Sequence, residues 1–96
     1  MTPKEAYKYA KENGPSEETR KIACKDPYYA YEYALYIDQC PRDDTRETAC
    51  KNPEYAYWYA VDVDKGFHED TWEAAQNTES EEKYEEFINS NMKEDV

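Results

Sequence analysis

The residues with the most capacity for chemistry form one run, Asp62-x-Asp64-x-Gly66-x-His68-x-Asp70-x-x-Glu73. Oxygen donors at these intervals imitate a calcium loop, which takes its ligands at positions 1, 3, 5, 7, 9 and 12 and needs a turn glycine at position 6. Phe67 occupies that sixth position, and Gly66 stands at the fifth, where an oxygen ligand is required, so calcium is not expected here. His68 is the sole histidine, which leaves no multi-histidine zinc site. The chain has no Gly-rich phosphate loop, no GxSxG elbow and no HExxH helix. Neither an enzyme nor a bound cofactor or metal is expected.

What remains is charge. The net charge is -11, and it is uneven: residues 1–51 carry 9 basic and 10 acidic side chains, residues 52–96 carry 3 and 13. The richest stretch is Asp62, Asp64, Glu69, Asp70, Glu73, Glu79, Glu81, Glu82, Glu85 and Glu86, interrupted by Lys65 and Lys83. On a helix Glu81 with Glu85 and Glu82 with Glu86 are like-charged neighbours, each pair slightly destabilising unless solvent or a partner compensates. So many carboxylates repel nucleic acid and anionic membranes, and suit a basic protein surface instead. No apolar run approaches the roughly 18 residues of a membrane span, so a cytoplasmic protein is expected. Cys24 and Cys50 hold the same place in successive repeats, as small buried residues would. Neighbouring helices are too far apart for an in-register disulfide, and Cys40 falls in a loop beside Pro41.

The elements that must position these groups are written three times. Ala6-Tyr7-Lys8-Tyr9-Ala10, Ala30-Tyr31-Glu32-Tyr33-Ala34 and Ala56-Tyr57-Trp58-Tyr59-Ala60 are one pattern, followed in step by Thr19-Arg20, Thr45-Arg46 and Thr71-Trp72. Thr2-Pro3, Asp26-Pro27 and Asn52-Pro53 place an N-cap acceptor before a proline at the first helical position, and Thr2 with Glu5 makes a capping box. Ala30, Tyr33, Ala34 and Ile37 then share one helical face, as do Ala56, Tyr59, Ala60 and Val63. Asn13-Gly14-Pro15, Cys40-Pro41 and Lys65-Gly66 are turn signals that separate a second helix starting at Glu17-Glu18, Asp43-Asp44 and Glu69-Asp70.

The fold class expected is therefore all-α: about seven short helices in one domain, three helix-turn-helix repeats (3–26, 27–52, 53–78) stacked as a small α-solenoid, and 79–96 as a capping helix and tail. Tyr84, Phe87 and Ile88 supply that helix with an apolar stripe, and Lys93 to Val96 are expected to fray. Tyr9, Tyr33 and Tyr59 are expected in the core, and Tyr7, Tyr31 and Tyr57 against the second helices. The first unit is two residues shorter, a difference assigned to its turn.

The frame Pro-x-x-Ala-Tyr-x-Tyr-Ala resembles the tyrosine- and alanine-rich tandem repeats of many uncharacterised phage and bacterial proteins, best over residues 53–66. The resemblance spans most of residues 3–77 and implies a helical array with no catalytic residues to transfer. In composition alone, a small acidic phage protein is similar to DNA-mimicking inhibitors of host defence enzymes, such as anti-restriction and anti-CRISPR proteins.

The functional expectation is a binding protein whose acidic surface meets a basic, nucleic-acid-binding protein, with no direct nucleic-acid contact and a monomer preferred. Its site comprises Asp43, Asp44, Asp62, Asp64, Glu69, Asp70, Glu73, Glu79, Glu81, Glu82, Glu85 and Glu86, with Trp58 and Trp72 as apolar anchors. Two bland roles compete with it. Carboxylates at helix starts cap free N–H groups, and the tryptophans cover the terminal helix. The rival function is an assembly module in which tyrosine-rich faces join copies of the chain.

Overall fold

A computed structural model describes residues 1–93, so the expectation for 94–96 lies outside it. The described residues form seven helices and no strand. First helices are α1 (Pro3–Asn13), α3 (Pro27–Glu32) and α5 (Pro53–Tyr59); second helices are α2 (Glu17–Ala23), α4 (Asp43–Ala49) and α6 (Glu69–Ala75); α7 (Ser80–Lys93) ends the series. The first helices start where their caps dictate: the Thr2, Asp26 and Asn52 side chains accept backbone N–H groups of the opening turn, each just before its proline. Thr2 and Glu5 complete the capping box.

Helices α3 and α5 do not stop where their α-helical hydrogen bonds do. Each runs on through a π-helical segment, Tyr33–Asp38 and Ala60–Asp64, to a left-handed residue, Gln39 or Lys65. Helix α1 has no such segment and stops at Gly14, whose φ of 93° suits glycine. The two residues missing from the first unit are thus divided. One is absent from the widened helix end and one from the connection, a correction to the turn-only expectation.

Alanines let the helices pack closely. Ala10, Ala34 and Ala60 on first helices cluster with Ala23, Ala49 and Ala75 on second helices, and these, with Ala6, Ala30 and Ala56, are essentially without solvent contact. First helices also pack on one another in a row from α1 to α7. The result is a slab of 43 × 27 × 16 Å. Its core is three clusters, one at each junction between units: Ala10, Ala23 and Tyr33; Tyr31, Ala34, Ala49, Tyr59 and Val63; and Ala60, Ala75 and Tyr84. Burial between neighbours instead of in one centre is what stacked repeats require.

Both ends are closed by changes of side chain. Glu5 and Asn13 stand in α1 where α3 has Tyr29 and Ile37, and both are exposed. Glu81 and Glu85 flank Tyr84 as Ala56 and Ala60 flank Tyr59, so the face that would receive another second helix is acidic. Tyr9, expected in the core, is instead 51% exposed, because no helix of the structure lies over that side of α1.

Candidate functional site

The joints between units fix where every surface group sits. In each, a tyrosine of one unit reaches back to the start of the previous second helix. The Tyr33 oxygen accepts the Ser16 N–H at 2.9 Å and lies 3.1 Å from the Ser16 carbonyl and 2.8 Å from Thr19 Oγ1. Tyr59 repeats this on Arg42 and Thr45, and Tyr84 on His68 and Thr71. These hydroxyls therefore have full polar partners although the rings are wholly buried. Tyr84 is the Tyr59 of a fourth first helix, which identifies α7 as half of a further unit.

Two joints add an ion pair that follows from the π-helical ends. Arg20 grips both carboxylate oxygens of Asp38 (2.9 and 2.6 Å), and Arg46 both of Asp64 (3.1 and 2.6 Å). All four side chains are less than 10% exposed. The guanidinium groups also sit over the rings of Tyr33 and Tyr59, 5.5 and 5.6 Å from their centroids. Hydrogen bonding to the carboxylate raises the pKa of each arginine despite opposing burial, so each guanidinium keeps its charge inside the joint.

At the third joint the arginine becomes Trp72, and the aspartate position falls on Asn89. Trp72 packs edge-on against Tyr84 at 5.2 Å, with Phe67 6.5 Å away. It is half-buried and belongs to the seat of α7. Trp58, the other anchor candidate, stays 38% exposed beside Tyr57.

The acidic candidates divide by location. Asp64 is consumed by Arg46, and Asp62 accepts the Tyr31 hydroxyl. The two leading acids of the calcium-like run are thus structural. Asp44 accepts the Thr45 N–H and pairs with Arg42; that hydrogen bonding outweighs its burial and holds its pKa below the ordinary value. Asp43 contacts Arg46 at 3.0 Å, yet its carboxylate is fully open to water. Glu69, Asp70, Glu73, Glu79, Glu82, Glu85 and Glu86 are exposed, and Glu81 is half-buried.

At the helix starts the expected capping role is taken by a carboxylate only at Asp44, and elsewhere falls to other atoms. Ser16 and the His68 imidazole accept N–H groups for α2 and α6, while Arg42 gives α4 no side-chain acceptor. Glu17, Glu18, Asp43, Glu69 and Asp70 are left facing solvent along the edge that the second helices form.

Tyr7 and Tyr31 reach the next first helix, through Glu32 and Asp62, where second helices were expected. Cys24 and Cys50 are free and half-buried. Burial raises both thiols, Cys50 to about 11. Cys24 lines a groove of about 560 Å³ between α2 and α4 whose walls mix Glu17, Glu18, Lys21, Glu47 and Lys51. Among the described residues no group of histidine, cysteine and acidic side chains is placed to hold a metal ion, and no helix is long and apolar enough to cross a membrane.

The groups that sequence reasoning missed are the Arg–Asp clasps. Their signal was present: Arg20 to Asp38 and Arg46 to Asp64 share a spacing of 18, and arginine and aspartate disappear together at the third joint. Comparison of the chain with family models, curated proteins and solved structures finds no match.

Proposed function

We propose that the chain is an acidic repeat scaffold that docks on a basic surface of another protein, of the kind that otherwise holds nucleic acid. One observation carries this: carboxylates recur at the start of α2, α4 and α6 and continue onto α7, and most are not used to hold the fold together. Packed helices are about 8–10 Å apart, so the stack presents negative charge at near-regular intervals on a rigid edge. Such an edge competes with a phosphate backbone for lysine and arginine, and it steers association at long range. Asp62 and Asp64 drop out of the binding set. Asp43, Glu69, Asp70, Glu73, Glu79, Glu82, Glu85 and Glu86 remain, with Asp44 and Glu81 at its margin. The resemblance to phage repeats and the composition of DNA mimics fit this reading.

The test is capture on the immobilised chain of a basic nucleic-acid-binding protein from the native host. Duplex DNA should displace that protein, and rising salt should release it. A captured protein that holds DNA and this chain together, or that stays bound in molar salt, ends the proposal.

A further inference from the structure

The groove of about 560 Å³ between α2 and α4 has the volume of a small-molecule site. Two of the groups that line it are polar and nearly buried, Arg20 at 8% and Thr48 at 7% exposure. Arg20 spends Nε and Nη2 on Asp38, and its Nη1 lacks the carboxylate that Asp43 gives to Arg46 Nη1 at the next joint. The Thr48 hydroxyl has the Cys24 thiol beside it, a weak partner. Ile22 and Ala74 hold the Thr48 place in the other second helices, so the repeat itself does not call for a hydroxyl here. Both groups are donors with capacity to spare.

The charged groups of the groove are ordered along it. Helices α2 and α4 hold the same place in successive units, so their starts share one end of the groove. Glu17, Glu18 and Asp44 lie at that end, where Asp44 is already engaged by Arg42 and the Thr45 N–H. Lys21 and Glu47 follow at mid-helix and offset one another in charge, and Lys51 stands just past the end of α4. The groove is acidic at one end and basic at the other, with the two spare donors between.

A free anion would meet the carboxylates of both walls, and a bare cation or an apolar group would cover Arg20 and Thr48 without supplying an acceptor. A molecule with an ammonium at one end, a carboxylate at the other and carbonyl oxygens between meets every one of these groups. Glu17 and Cys24 are two helical turns apart, about 10 Å along the axis, and an extended chain advances about 3.3–3.6 Å per residue. We infer that the groove binds an extended peptide of about three residues with both ends free. Its ammonium lies among Glu17, Glu18 and Asp44, its carboxylate at Lys51, and its carbonyl oxygens accept from Arg20 and Thr48. None of the exposed carboxylates kept in the docking set, Asp43 and those from Glu69 to Glu86, lines the groove, so the peptide site stands without the docking reading.

Titration of the isotopically labelled chain with trialanine, followed by NMR of the backbone amides, tests it. Half-saturation on the order of 1 mM is expected for so open a groove, with shifts confined to α2 and α4. N-acetyl-trialanine, trialanine amide and single alanine should each bind at least about tenfold more weakly. Glu17→Gln/Glu18→Gln should erase the preference for a free amino end and keep that for a free carboxylate, and Lys51→Gln should do the reverse. These side chains are exposed, so helicity should not change. Thr48→Val, which keeps the shape and drops the hydroxyl, should weaken trialanine about fivefold. No shift at about 10 mM trialanine, shifts spread away from the groove, blocked peptides that bind as well as the free one, or surface variants that retain both preferences would each overturn the inference.

Discussion

The Tyr59 oxygen lies 2.7 Å from Thr45 Oγ1, and this contact is where one repeat is fastened to the next. It gives the repeated tyrosine two tasks, filling the space between alanine faces and satisfying the start of the preceding second helix through Arg42 N–H.

Tyr59→Phe keeps the packing but strips the Arg42 N–H and the Thr45 hydroxyl of their buried partner. A loss of about 1–3 kcal/mol is expected in chemical denaturation. Tyr9→Phe should change stability by less than about 0.5 kcal/mol, because the Tyr9 ring is half exposed at an uncovered end.

Asp64→Asn leaves the buried Arg46 guanidinium with only the water-exposed Asp43 as counter-charge. We expect a loss of about 3 kcal/mol, much of it recovered in Arg46→Met/Asp64→Leu, where neither charge remains. Thermal unfolding of the three proteins gives the order. Asp43→Asn, whose carboxylate already faces water, should have little effect.

Stability should fall in alkali. Folded Cys50 keeps its proton to about 11 instead of 9.0, and Tyr7 to about 12 instead of 10.0, both chiefly through burial. Burial raises Tyr31 and Tyr59 as well. Between the unfolded and folded values the native chain binds more protons, so unfolding becomes easier as pH rises. A denaturation midpoint that is level just below pH 9.0 and declines beyond it is the expected result. Tyrosinate absorbance should grow in step with the loss of helix.

Arg42 precedes α4 without a side-chain acceptor, whereas Ser16 and His68 provide one for the equivalent helices. Arg42→Ser should therefore stabilise the fold by about 0.5–1 kcal/mol, read as a higher melting temperature. The lost Arg42–Asp44 pair is exposed and offsets little of this gain.

Glu69→Gln/Asp70→Asn/Glu73→Gln should slow association with a basic partner roughly tenfold while leaving the melting temperature nearly unchanged. Surface plasmon resonance at two salt concentrations separates this steering effect from a loss of structure.

The helices were legible because their punctuation is local: an acceptor before proline begins a first helix, and alanine with tyrosine at helical spacing marks its buried face. Tyr9 was misplaced because its pattern is the same as that of Tyr33, and burial depends on having a neighbour, which no window of sequence contains. The π-helical ends escaped notice for a similar reason. Each widened end closes on an aspartate, Asp38 or Asp64, that meets an arginine 18 residues upstream, a contact no local window contains. The acids were read by density alone, so Asp62 and Asp64, committed inside the fold, looked no different from Glu69 or Glu73.

The paired glutamates of α7 set that helix apart from the other first helices. The inner joints are built on one plan, so duplicating a whole unit upstream of Ser80 would lengthen the rod without inventing a new contact. On α7 the two positions where alanines seat a second helix hold Glu81 and Glu85, so a helix packed there would have to strip two carboxylates of water.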